Sequence, residues 1–504
     1  MKKYSCFCKT SQLVITGLAG LSASGYSLAA EAQKPNIVFI LTDDQGYGDM
    51  GRTGNPILKT PNMDRLYDQS VRFDNFCVEA SCAPSRTALM TGMYPFKSGV
   101  THTIPPREHA AKDRTILPQL LKQAGYGTAV IGKWHIGEGP GYSPKDRGFD
   151  YVVSIVGPQQ EGGFFNPVAV RNGKQIKSQG FREDVLFDEA IRFIDESKDR
   201  PFFCYLTPWS PHTPLRAPEE DIAPYRGKVD EQTAVFFGMV ANLDKNVGRL
   251  MARLDELGLS SNTIVMMMND NGGTHGVDTY NAGMRGCKGT SWVGGFRAFS
   301  LWRWPAKWAP HNVTALTYEA DVLPTLAEIA GVPLSAELEA EKDGYSLTPL
   351  LEGRSVDWED RMVFQHVGRW AGGMAALSKY TDAAVHWKNY MLVRREPSED
   401  PDGLSAADKQ SSNNNLMRIQ KGAIQAPFTK ANAQFHWGLT HGWELYDVTA
   451  DPACKKNIAG QMPELAQRMA AAYDVWWDKV FPQMIELGGD KPAEENWYET
   501  HNIR

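Results

Sequence analysis

A chain of 504 residues with 42% hydrophobic and 22% charged positions has the composition of a globular enzyme with a large core and room for appended units. Its net charge of −6 excludes nucleic acid as a bulk partner, because neutralising phosphates takes a concentrated basic surface. A few local cations can still dominate one pocket, so a small anionic substrate stays open.

Residues 1–32 read as a secretory signal peptide. Lys2, Lys3 and Lys9 accompany an apolar or small run from Leu13 to Leu21, and Ser27-Leu28-Ala29 and Ala30-Glu31-Ala32 offer cleavage sites. That run is too short for a bilayer, and no other segment holds about 18 uninterrupted apolar residues. An exported protein, periplasmic or secreted and without a membrane span, is therefore expected. Cys77, Cys82, Cys204, Cys287 and Cys454 follow the leader. A chain of this length needs no disulfide framework, so most are expected free, with one pair at most.

Ile37 to Leu41 is an apolar, β-branched run of the kind found in buried central strands, and it ends in Thr42-Asp43-Asp44. Thr128 to Ile131, Phe202 to Leu206 and Thr263 to Met268 share its character. Helical patterns separate them. The clearest places Val240, Leu243, Val247, Leu250, Leu254 and Leu257 on one face and closes at Gly258. Such alternation predicts a mostly parallel sheet covered on both faces, with ligands beyond the carboxyl ends of its strands. From about Asp357 the texture changes to short alternating segments at Met362 to His366 and Ala383 to Val393 and a polar loop from Pro397 to Asn415. Trp443 to Asp447 and a helix from Pro463 to Val480 complete a small antiparallel sheet with a terminal helix. The predicted organisation is thus a leader (1–32), a catalytic domain (33–356) and a C-terminal subdomain (357–504).

Asp43 and Asp44 follow one strand, and Asp270 and Asn271 follow another. Adjacent carboxylates repel, and a hard divalent cation relieves the repulsion. Four oxygen-bearing side chains favour calcium, with magnesium second, and no Cys/His spacing suggests zinc. Gly46, Gly48 and Gly51 match a dinucleotide-binding pattern, but the acids before them would repel a pyrophosphate. A flexible loop beside a metal site is the expectation there. Lys133, His135 and His212 fall just past predicted strand ends, and Lys288 lies just past the Asp270 site.

Cys82-Ala83-Pro84-Ser85-Arg86, continued by Thr87 to Gly92, resembles the signature of the formylglycine-dependent sulfatases. Gly132-Lys133-Trp134-His135-Ile136-Gly137 and Glu444-Leu445-Tyr446-Asp447 with Asp451-Pro452 resemble further text of that family. The resemblance implies an alkaline-phosphatase-like α/β fold, a mixed and mostly parallel sheet between helices, with a smaller C-terminal α+β subdomain. It implies that Cys82 is oxidised to Cα-formylglycine by a formylglycine-generating or anaerobic sulfatase-maturating enzyme. The aldehyde hydrate would offer one hydroxyl to attack sulfur and a second to expel sulfate afterwards. Asp43, Asp44, Asp270 and Asn271, with an oxygen of residue 82, would hold calcium. Lys133 would touch the sulfate, and His135 would be the base that releases it. His212, aided by Lys288, would protonate the leaving oxygen, while Arg86 would neutralise charge and orient residue 82.

Conversion of Cys82 would leave four cysteines with three possible pairings. Val293, where the family often has glutamate, and Asn269, where a small hydroxyl is usual, depart from the common text. The expected substrate is a sulfated carbohydrate, with His102, Arg107, Trp209, Arg285, Arg369 and His441 as candidate contacts. Two alternatives accompany this reading: a formylglycine-dependent phosphonate or phosphate ester hydrolase, and a catalytically silent carbohydrate-binding relative.

Overall fold

In the computed structural model, which describes residues 34–358, 360–394 and 442–492, the run Asn36–Thr42 lies in the middle of a ten-stranded sheet. The order across the sheet is Asn312–Val313, Val71–Phe73, Ser300–Arg303, Thr263–Asn269, Asn36–Thr42, Phe202–Thr207, Gly127–Gly132, Tyr151–Ile155, Val168–Arg171 and Lys174–Lys177. The five strands from Thr263–Asn269 to Tyr151–Ile155 are mutually parallel, and antiparallel neighbours join on either side. The α/β class and the mostly parallel sheet are as expected. The leader and the 397–415 loop lie outside the described residues.

Alternate residues of the central strand enter different cores, which is why its text is apolar throughout. Ile37, Phe39 and Leu41 join Leu89, Leu120 and Leu323 from the helices Cys82–Thr91, Leu117–Gln123 and Val322–Ala330. Val38 and Ile40 join Leu66, Leu186 and Leu243 from Pro61–Asp68, Arg182–Ser197 and Glu231–Glu256 on the opposite face. The last of these is the helix read from the leucine and valine spacing. Gly258 lies just beyond it with φ +68°, the left-handed conformation a helix stop requires.

The register sets the functional end of the sheet. Thr42 pairs with Asn269, and Gly132 with Thr207, so neighbouring strands finish almost level. Asp43, Lys133, Asp270 and the loop carrying His212 therefore leave the sheet along one rim.

Met362–His366, Ala383–Trp387, Tyr390–Arg394 and Glu444–Asp447 form a four-stranded antiparallel sheet. The helix Pro463–Glu486 buries Met469, Tyr473, Trp476, Trp477, Val480 and Met484 against it. It runs past the expected end at Val480 and through Pro482, because Met484 is still anchored in the core beyond the proline. Tyr94 and Phe96, just after the Cys82 helix, share this third core.

One expectation needs correction. The Gly46–Gly51 loop is closely packed and not a flexible element: a Cβ on Gly46 would lie 2.9 Å from Gly273 Cα, and one on Gly48 2.5 Å from the Tyr280 carbonyl oxygen. The five cysteines after the leader are all free and buried, within the expectation of one pair at most.

Candidate active site

Cys82 opens the helix Cys82–Thr91 after an extended Ser81, and every residue of that helix is buried. Pro84 suits the first turn because an N–H there would have no helical partner. Burial on all sides follows from position: Ala83, Leu89 and Met90 face the sheet core, and Ala88 faces the C-terminal core. The thiol consequently sits at the positive end of a helix dipole, in a place suited to an anion.

Asp43 Oδ1 lies 3.2 Å from Cys82 Sγ, and Asp44 Oδ1 lies 3.9 Å from it. Successive residues of a strand normally point to opposite faces. Asp44 escapes that alternation by adopting φ +69°, so both carboxylates face the same sulfur. Asp270 Oδ1 accepts the Asp44 backbone N–H at 3.2 Å, and Asn271 Nδ2 donates to Asp44 Oδ1 at 3.1 Å. The strand-end pairs Asp43-Asp44 and Asp270-Asn271 predicted from sequence are thus one cluster.

Cations close around it. Lys133 Nζ is 2.7 Å from Asp43 Oδ2, and Lys288 Nζ is 2.5 Å from Asp44 Oδ1 and 3.5 Å from Cys82 Sγ. His212 Nε2 lies 3.8 Å from Asp44 Oδ2. Gly132, just before Lys133, has φ +114°, and a Cβ there would meet the Thr207 carbonyl oxygen at 2.0 Å, so only glycine allows this turn. Arg86 Nη2 donates to Asp270 Oδ2 at 2.9 Å and Nη1 to the Lys133 carbonyl at 3.0 Å. Two of its guanidinium nitrogens thus hold the acid cluster and the Lys133 turn.

Burial alone would raise Asp43, but Lys133, His212, Arg86 and Lys288 together hold it well below the usual carboxylate range. Asp44 is lowered too, because Lys288 and His212 outweigh its burial. Asp270 is raised to about 6 by burial and by the nearby Asp43 charge. Burial, then Asp270 and Asp43, push the Cys82 thiol far above its ordinary value, so it is no thiolate nucleophile as it stands. His212 falls to about 4, burial outweighing the pull of Asp44.

These residues fit a hard divalent cation. Asp43, Asp44, Asp270 and Asn271 are fully or almost fully buried, and Asn271 Oδ1 meets no hydrogen-bond donor. A buried orphan oxygen beside three carboxylates is the donor set calcium or magnesium takes. The grouping of Asp43, Asp44 and Cys82 with His212 supplies one nitrogen as well, but oxygen predominates.

His135 has φ +61°, and its Nε2 is 3.0 Å from Glu108 Oε2 and 3.1 Å from the Thr103 carbonyl oxygen. Arg369 lies over Gly289, where a Cβ would be 3.1 Å from its Nη1, within electrostatic reach of Cys82 and Asp44. His102 is buried close enough to Arg369 and His135 for both to depress its pKa after burial does. The other substrate candidates are committed elsewhere. Arg107 is buried and donates to the carbonyls of Gly368, Trp370 and Gly489, tying the catalytic loop to the C-terminal part. Trp209 belongs to the sheet core beneath Arg182. Arg285 stacks at 3.9 Å on Trp292 and donates to the Cys454 carbonyl. His441 lies outside the described residues.

Three further polar groups serve the site: Asn269, noted in sequence only as a departure, and Gln159 and Glu108, which sequence reading passed over. Asn269 Nδ2 donates to the Asn271 carbonyl at 2.9 Å while its Oδ1 accepts from Phe299 N–H, so this departure from the family text still braces the metal loop. Gln159 Nε2 lies 3.3 Å from His212 Nδ1. Glu108 partners His135. Neither Gln159 nor Glu108 sits at a strand end, so position gave no signal. Val293 packs in the third core and supplies no hydrogen bond from its side chain.

A large, mostly parallel sheet with a buried cysteine, an acid cluster and converging cations at its carboxyl rim defines a hydrolase of anionic esters. The family model described as Sulfatase matches residues 35–332. Human (Homo sapiens) arylsulfatase A is 32% identical over 368 residues, covering 64% of this chain and 69% of that protein. N-acetylgalactosamine-6-sulfatase of Canis lupus familiaris is 30% identical over 393 residues, covering 69% and 71% respectively. The solved complex of Ps i-CgsB with k-i-k-neocarrahexaose superposes with a TM-score of 0.74 at 26% identity, over 94% of this chain and 96% of that one. The chain belongs to the sulfatase family and is a sulfuric ester hydrolase. Among the described residues, no helix is long and apolar enough to cross a membrane.

Proposed function

We propose that this chain removes sulfate from a sulfated carbohydrate, with Cys82 matured to Cα-formylglycine and one calcium ion held by Asp43, Asp44, Asp270 and Asn271. The carrying observation is the convergence of Asp43, Asp44, Lys133 and Lys288 on the side chain of residue 82 at a helix N-terminus. When present, formylglycine would supply the attacking hydroxyl and calcium would supply positive charge against the sulfate oxygens.

The residues have separate tasks. Lys133 and Lys288 neutralise the sulfate, which a low-dielectric site makes worth far more than in water. Arg86 holds Asp270 in place. His212 and Lys288 stand together beside Asp44 as the pair that protonates the departing sugar oxygen. N-acetylgalactosamine-6-sulfatase and the neocarrahexaose complex both carry sugars in their names, which supports a carbohydrate substrate. Export through the 1–32 leader, and maturation by a formylglycine-generating or anaerobic maturating enzyme, complete the proposal.

Turnover of nitrophenyl sulfate compared with a nitrophenyl phosphonate ester tests the reaction, with the sulfate expected to be strongly preferred. Preference for the phosphonate, or no turnover after confirmed maturation, would overturn it. Calcium should also raise the unfolding temperature in proportion to ln(1 + [Ca]/Kd), and N271A should shift that response to higher calcium. A response identical in N271A would remove Asn271 from the ligand set.

A further inference from the structure

Glu108 is almost wholly buried, on the loop between the Cys82 helix and the strand that delivers Lys133 and His135. Its Oε2 and the Thr103 carbonyl oxygen, at 3.0 and 3.1 Å, both face His135 Nε2. A carbonyl oxygen can only accept, and a carboxylate accepts from an imidazole N–H, so Nε2 carries the hydrogen. Nδ1 is then the nitrogen with the lone pair. It is buried and meets no hydrogen-bond partner, so its lone pair is unsatisfied within the protein.

We propose that Glu108 is the positioning residue of the sulfatase reaction: it fixes His135 as the Nε2–H tautomer and stabilises the imidazolium formed when Nδ1 accepts a proton. This rests on the proposed function and on the role of His135 as base of sulfate release that the family resemblance implies. The arrangement resembles in logic the acid that orients the histidine of a serine hydrolase, where the wrong tautomer costs about 10⁴-fold in rate. The strained backbone of His135 supports the assignment. A non-glycine residue at φ +61° is kept only where the surroundings over-determine it, and the two acceptors on Nε2 are part of that determination. Proton accounting is simple: one proton passes to Nδ1, Nε2–H stays in place, and Glu108 remains a carboxylate.

Two readouts test it. In ¹⁵N-histidine-labelled protein with Cys82 left unconverted, the His135 signals, assigned by their loss in H135A, should report the Nε2–H tautomer. In E108A, where only the Thr103 carbonyl still faces Nε2, the Nε2 signal should shift and the Nε2–H fraction should fall. In matured enzyme, the near-isosteric E108Q should lower kcat about 10²–10⁴-fold and leave KM within about threefold. A tautomer signature unchanged in E108A, or an E108Q kcat within about twofold of the parent, would overturn the proposal. An inactive parent enzyme would instead count against the proposed function, while the tautomer measurement would still decide the role of Glu108.

Discussion

Asp44 and His135 carry left-handed backbone conformations that side chains other than glycine rarely adopt, and both sit where two strands hand over to the site. For Asp44 the consequence is geometric, since without it one of two consecutive carboxylates would turn away from Cys82. The cations answer this concentration of negative charge. Lys133, Lys288 and Arg86 balance Asp43, Asp44 and Asp270, so a bound divalent ion leaves the pocket net positive, as an anionic sulfate requires. Lys288 contacts both the acid cluster and residue 82. K288A is therefore expected to lose about 3–4 kcal/mol of transition-state stabilisation, a fall of about 10²–10³ in kcat. A loss below about fivefold would place Lys288 outside the chemistry. His212 has a different signature. If it helps protonate the leaving oxygen, H212A should cost about 10²–10⁴-fold on a sugar sulfate and far less on nitrophenyl sulfate, whose leaving group needs no proton. Equal losses on both substrates would argue for a role in binding instead.

At the scale of elements, the Cys82 helix is clamped between the sheet and the C-terminal part, and its surroundings hold unusual acids. Glu79 and Glu319 are buried close to its start. Tyr318 OH donates to Glu79 Oε1 at 2.6 Å, and the Glu79 N–H donates to Glu319 Oε1 at 3.0 Å. Burial raises both carboxyls above the ordinary carboxylate range, and the Glu79 charge adds to the effect on Glu319. A folded-state pKa raised in this way favours folding at low pH. Stability is then lost as pH climbs past the unfolded value of about 4.3, because the unfolded chain releases a proton the fold retains. His386 acts in the opposite sense. Burial lowers it to about 3, beside the Phe296 ring 4.3 Å away, so stability falls as pH drops below about 6.5 and the unfolded imidazole charges. Each group contributes a slope of up to about 1.4 kcal/mol per pH unit within its window. Unfolding temperature measured against pH should lose its decline between about pH 4.3 and 8 in E79Q and its fall between about pH 6.5 and 3 in H386F. Parallel curves for parent and variants would show that these groups do not titrate as described.

Across the whole molecule, what sequence made legible was whatever local chemistry dictates. Consecutive acids at the end of an apolar strand are costly without a cation, so Asp43, Asp44, Asp270 and Asn271 stood out, and the sheet register brings them together. The Cys82 signature marked the residue on which Asp43, Asp44 and Lys288 converge. Arg107 and Trp209 misled because an arginine or tryptophan in loop text looks the same whether it faces solvent or closes a core. Only the tertiary contacts with Gly368, Gly489 and Arg182 separate the two cases. Glu108 was silent for a related reason, since its partner is 27 residues away by number and the contact needs both loops folded. The flexible-loop reading of Gly46–Gly51 failed because glycine serves close approach as readily as mobility.

The most direct measurement is the mass of the tryptic peptide Phe73–Arg86 from active enzyme, which contains both Cys77 and Cys82. The expected result is loss of one thiol, at position 82, in favour of an aldehyde, with Cys77 intact and specific activity proportional to the converted fraction. Full sulfate ester turnover by protein in which both cysteines remain thiols would contradict it.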